Sequence, residues 1–176
     1  MTKQEQLGFS LTEMLVTISI AGILGSIATT SFVNQLSKGQ QSEAHALITQ
    51  IIGQTSAFND EYGKPAEGWS DLDKIATILT STGVATGSNF STIKTPQESY
   101  AIIGNRSGNK YIFNATPILK GGSVPPDDEI NNPGSAPPIR AANYNIVSCI
   151  NVATGASDIQ IGSGTTAASQ ANLRCP

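Results

Sequence analysis

Between Met14 and Ser37 the chain carries no charged side chain. As a helix rising about 1.5 Å per residue, that run extends about 36 Å, enough to cross a hydrocarbon core of about 30 Å. It constrains the fold more than any other stretch, because it must find apolar surroundings in a membrane or among other helices. The run is also less apolar than a simple anchor. Thr17, Ser19, Ser26, Thr29, Thr30 and Ser31 add hydroxyls, and Gly22, Gly25 and Ala28 are small. Small residues and hydroxyls suit close approach between membrane helices. A single acid, Glu13, stands at the start with no basic residue beside it. An ionised carboxylate at a bilayer centre costs about 2.5–3.5 kcal/mol even on lenient insertion scales, so this acid needs a reason.

The residues allow three readings. The first is a cleaved secretory signal, for which Ser26-Ile27-Ala28 offers a small-residue site. Against it, Lys3 and Glu5 leave the region before Phe9 without net side-chain charge, and Glu13 interrupts the apolar core. The second is an uncleaved single-span anchor. The third is a cut between Gly8 and Phe9, which would give Phe9 a new α-ammonium group one helical turn from Glu13. In an array of parallel helices, one subunit's ammonium would then meet the next subunit's carboxylate. Such pairing offsets the desolvation of both charges, whereas either alone would be uncompensated.

The run "LGFSLTEMLV" closely resembles the class III signal of type IV prepilins: a short polar leader ending in Gly8, then Phe9, Glu13 and a long apolar helix. "AGILGSIA" resembles the usual continuation, with Gly22 in the expected place. Thr30 stands where many pilins have proline, so the kink that proline brings has no counterpart in this sequence. The resemblance implies a leader over residues 1–8, cleavage between Gly8 and Phe9 by a prepilin peptidase and N-methylation of Phe9. It further implies a membrane-spanning assembly helix over 9–37, with Glu13 as the assembly charge. Single-pass residence in the bacterial inner membrane would precede incorporation into a surface filament by the pilus assembly platform. The partners it implies are other pilin subunits, the peptidase/methyltransferase, that platform and the membrane. "TSAFNDEYGKP", "YIFNATP" and "CINVATGASDIQ" are also similar to pilin-like proteins of the kind labelled type G/H, found in cyanobacteria.

Residues 38–176 read as an exported head. Ala44, Leu47, Ile48, Ile51, Ile52, Thr55 and Phe58 recur at three- and four-residue spacing, an amphipathic helical stripe. Gly39 and Gly53 are places for a bend, and Gly63 and Pro65 should stop the helix near Tyr62. A short helix is expected from Ser70 through "SDLDKIATILT", followed by a loop through "TGVATGSNFSTIKTPQ". Strands are expected near Ser99–Gly104, Lys110–Pro117, Asn143–Val152 and Ser157–Gly162, with "NRSGN" as a hairpin loop. The fold class is therefore α+β, a long helix packed on a small antiparallel sheet. Residues 119–142, dense in proline and glycine, read as an exposed excursion.

Chemistry is sparse. The single histidine, His45, excludes a His-based metal cluster, and most triads would have to run through it alone; it reads as a solvated or packed side chain. Asp127, Asp128 and Glu129 could hold calcium with loop carbonyls, but the alternating ligands of an EF-hand are missing, and a solvated acidic tip fits better. Asn89, Asn105 and Asn114 match a glycosylation acceptor pattern by chance. Trp69 and Tyr62 read as cover for the helix–sheet core. No phosphate loop, nucleophile elbow or zinc spacing occurs, so no enzyme, cofactor or metal is expected. With a net charge of −3 and no basic block, specific nucleic-acid binding is not expected either. Cys149 and Cys175 are two unrelated thiols or a disulfide; export to an oxidising compartment favours the bridge. A closed Cys149–Cys175 loop favours a pilin over a pseudopilin of type II secretion. Major subunit, minor subunit acting as a binding module, and pseudopilin all stay open.

Overall fold

The computed structural model describes residues 10–118, 142–163 and 165–176, excluding the side chains of residues 26–34 and 142. Its contacts divide the chain into two units, Met1–Gly39 and Gln40–Pro176. One helix, α1 (Leu11–Tyr62), contributes to both, and neither Gly39 nor Gly53 ends it. The proline-rich excursion expected over 119–142 falls almost wholly outside the described residues, as do Asp127, Asp128 and Glu129.

The second unit is built from the amphipathic stripe. Ala44, Ile48, Ile51, Thr55 and Phe58 are all fully buried, and Leu47 packs against their edge. Tyr62 closes the helix, and Gly63 follows at φ 63°, donating its N–H to the Asn59 carbonyl at 2.9 Å. A residue with a Cβ would be strained in that left-handed C-terminal cap. Beyond it, the expected helix from Ser70 shrinks to α2 (Trp69–Leu72), because Leu79 is drawn into a two-stranded ribbon. The ribbon pairs β1 (Leu79–Thr80) with β2 (Gly83–Val84). The segment expected to be loop therefore contains β2, and also β3 (Ile93–Lys94).

The main sheet is an antiparallel meander of five strands, β3 followed by β4 (Tyr100–Ser107), β5 (Lys110–Pro117), β6 (Ile146–Asn151) and β7 (Ala156–Ile161). The β4–β5 hairpin is tighter than "NRSGN" suggests. Ser107 already pairs with Lys110, leaving only Gly108 and Asn109 in the turn. Before β6, Ala142–Tyr144 forms a single 3₁₀ turn where an extended strand was expected.

Side chains alternate across the sheet. Ile102, Tyr111, Phe113, Ala115, Ile146 and Ile150 join the α1 stripe in one core, with Trp69 and Phe90 between them. The aromatic rings meet edge-on: Phe90 crosses Trp69, Tyr111 and Phe113 at centroid distances of 5.1, 5.8 and 5.6 Å. Such pairs add about 0.5–1.5 kcal/mol beyond area burial. Gly104 makes this possible, since a Cβ there would lie 2.7 Å from both Phe113 and Phe90. The polar tips find partners: Trp69 Nε1 donates to the Ser91 carbonyl at 2.7 Å and Tyr111 Oη to the Ala66 carbonyl at 2.8 Å. Burial pushes the Tyr111 phenol up to about 12. Trp69 is core as expected, but Tyr62 stays exposed, stacked on Phe58 at 4.5 Å. His45 is half-buried on α1.

Candidate functional site

Two places carry the residues that sequence reasoning singled out. At the N-terminal end, Gly8 and Phe9 lie outside the described residues, and Glu13 sits in the first turn of α1. Its local bonding is specific. A Glu13 carboxylate oxygen accepts the Ser10 backbone N–H at 2.9 Å, while the Glu13 N–H donates to Ser10 Oγ at 3.2 Å. This reciprocal pair is a capping box, with Ser10 as N-cap and Glu13 three residues on. The pattern Ser-x-x-Glu is legible in "SLTE".

Along the same helix, Leu11, Leu15, Ile18 and Leu24 are all more than half exposed. The hydroxyls between them turn inward on their own helix: Thr17 Oγ1 donates to the Glu13 carbonyl at 2.7 Å and Ser19 Oγ to the Leu15 carbonyl at 2.8 Å. Side chains bonded in this way bring no unsatisfied donor to an apolar neighbour. Hydroxyls and Glu13 also dilute the apolar run, and no helix among the described residues is long and apolar enough to cross a membrane. The span expected over 9–37 therefore does not stand on hydropathy alone.

The second place is the C-terminal segment. Cys149 and Cys175 form a disulfide with a Cα–Cα distance of 6.2 Å. Both residues are buried, and the bond ties the chain end to β6. Asn145 holds the same segment like a strand, donating to the Ala168 carbonyl at 2.9 Å and accepting the Ala168 N–H at 2.8 Å. Gln170 donates to Asn114 Oδ1, and Asn151 donates to the Pro176 carbonyl. Asp158 on β7 accepts the Arg174 N–H at 2.9 Å, and that bond holds its carboxyl below the usual carboxylate range. Sequence alone offered the cysteines but not the Asn145 clamp, which joins residues far apart in the chain.

Residues 3–29 match a family model described as the prokaryotic N-terminal methylation motif. The chain is also similar to the fimbrial protein EcpC of Eikenella corrodens, 39% identical over 63 residues. The N-terminal segment of the chain thus carries a methylation motif and is similar to a fimbrial protein. That alignment covers 36% of this chain and 41% of its relative, so less than half of either protein is compared. No solved structure matches it. The methylation motif encloses Gly8, Phe9, Ser10 and Glu13, and the capping box thus lies within it.

Proposed function

We propose that this chain is a structural subunit of a type IV pilus or related filament. Residues 1–8 are its leader, removed between Gly8 and Phe9 by a prepilin peptidase that also methylates Phe9. The helix over 9–37 then holds the subunit in the inner membrane until the assembly platform draws it into a filament of like subunits. Residues 38–176 form the head displayed at the cell surface. The observation that carries this reading is the methylation motif over residues 3–29, which takes in the start of α1 with its exposed Leu15, Ile18 and Leu24.

Glu13 then has two successive roles. In the single subunit its carboxylate is occupied by Ser10, which limits the cost of holding a charge in apolar surroundings. In the filament it faces the neighbouring subunit's Phe9 ammonium and sets the register of the helices. The structural role leaves no need for a catalytic group, and the family resemblance points away from an enzyme. The Cys149–Cys175 staple supports a pilin over a pseudopilin.

Shearing cells and probing the filament fraction tests the proposal. The chain should be abundant there, and a Gly8→Leu variant should remain in membranes at precursor mass. Recovery of the wild-type chain only from membranes or as free protein in the medium would defeat the reading.

A further inference from the structure

The β4–β5 hairpin carries a cavity of about 240 Å³ on the face opposite the aromatic core, lined by Asn105, Arg106, Ser107, Lys110, Ile112 and Gln170. Asn105 pairs with Ile112 and Ser107 with Lys110, so the period of two puts these four side chains on one face. Ile112 in turn pairs with Cys149, which places the disulfide beside them. Gln170 belongs to the C-terminal segment that the disulfide and the Asn145 clamp hold across this face. The cavity wall is thus assembled from two distant parts of the chain.

Its lining contains no carboxylate, and Lys110 is the cation on its face, since Arg106 pairs with the core residue Tyr111 and so belongs to the opposite face. Arg106 is fixed by donating Nε to the Gly108 carbonyl at 2.9 Å, and its acidic partner Glu67 stands 3.9 Å away. Lys110 is half-buried and belongs to none of the ion pairs among the described residues, whereas Lys74 and Lys94 are both matched. An ammonium on a half-buried side chain that has no ion-pair partner among the described residues, in a cavity edged by amides and a hydroxyl, is complementary to an anion. We propose that this cavity binds an oxyanion, a phosphate or sulfate group, either free or esterified to a saccharide. The volume is small for a drug-sized ligand and suits a tetrahedral anion with room for its attachment.

Equilibrium dialysis of the full chain in non-ionic detergent, with labelled sulfate, inorganic phosphate and a hexose phosphate, tests this. Ionic strength is held constant with chloride. The expected result is one saturable site per chain, weakened at least about tenfold by Lys110→Gln and retained by Lys110→Arg. Lys74→Gln, which removes an ammonium already paired with Asp71 at 2.7 Å, should leave the affinity unchanged. Tighter binding of the hexose phosphate assigns the site to a saccharide ester, and equal binding assigns it to the free ion. Absence of saturable binding to the wild type, equal affinity in Lys110→Gln, or an equal loss in Lys74→Gln would overturn the proposal.

Discussion

Helix α1 puts aliphatic side chains in two different settings. Over Ala44–Phe58 they disappear into a core shared with β4, β5 and β6. Over Leu11–Leu24 comparable side chains remain exposed, and the polar groups among them bond to their own helix. Burying a Leu or Ile is worth about 1.5–3 kcal/mol per side chain. The head takes that free energy from its own sheet. The N-terminal stretch has no such partner among the described residues of the first unit, so on the proposed function it takes the same free energy from lipid and then from neighbouring helices. On the proposed function, two kinds of apolar surface on one helix thus separate folding from assembly.

The comparison can be broken by deleting apolar volume on each side of it. Phe113→Ala opens the aromatic cluster and should lower the stability of the head by about 3–5 kcal/mol, read by denaturant unfolding. Leu15→Ala should leave that transition unmoved and reduce the yield of sheared filaments. Equal effects of both on the head would erase the distinction. Removing the staple should rank close behind. The double change Cys149→Ser with Cys175→Ser releases a loop spanning a sequence separation of 26, worth about 3–4 kcal/mol in the chain-entropy model. Thermal unfolding with and without reductant would measure it, and the N-terminal helix should be indifferent.

Glu13 sharpens the comparison further. If the carboxylate serves only as a cap, Ser10→Ala and Glu13→Ala should act alike, since each destroys the capping box. A lost N-cap costs a helix about 1 kcal/mol. If Glu13 also sets register between subunits, Glu13→Ala should lower incorporation by about two orders of magnitude, with membrane levels maintained, and Ser10→Ala should do far less. The ratio of sheared filament to membrane protein distinguishes the two outcomes.

The smallest effect belongs to Asp158. Its folded pKa is depressed, by the Arg174 N–H first, so its contribution is present above the ordinary carboxylate range and is lost as pH falls through the folded value. Hydrogen exchange at the Arg174 amide should therefore be slow near neutral pH and should speed up, after correction for intrinsic rates, in the acid range. An Asp158→Asn variant should show that loosening at every pH.

What the sequence disclosed followed the range of its signals. The Ala44–Phe58 stripe and the Lys110–Pro117 strand were legible because period and propensity act locally, and Gly63 marked the helix end for the same reason. The two-residue β3 carried no readable pattern, since it exists through its pairing with Ala101 and Ile102 on β4. α2 fell short of its helical pattern because the β1–β2 ribbon captured Leu79. At the N-terminal site the charge of Glu13 and the residue Ser10 were both legible, but their reciprocal bonding depends on the geometry of the first helical turn. At the C-terminal site the cysteines stood out by rarity. Asn145, an ordinary polar residue, took its importance from the distant Ala168 backbone that it clamps.

On the proposed function, the N-terminal helix becomes an assembly surface only after the leader is removed. Mass spectrometry of the chain recovered from sheared filaments reads whether that cut occurs. The expected result is a mature N-terminus at Phe9, heavier by one methyl group. An N-terminus at Thr29, as left by an ordinary signal peptidase, or an intact Met1 in the filament fraction would contradict it.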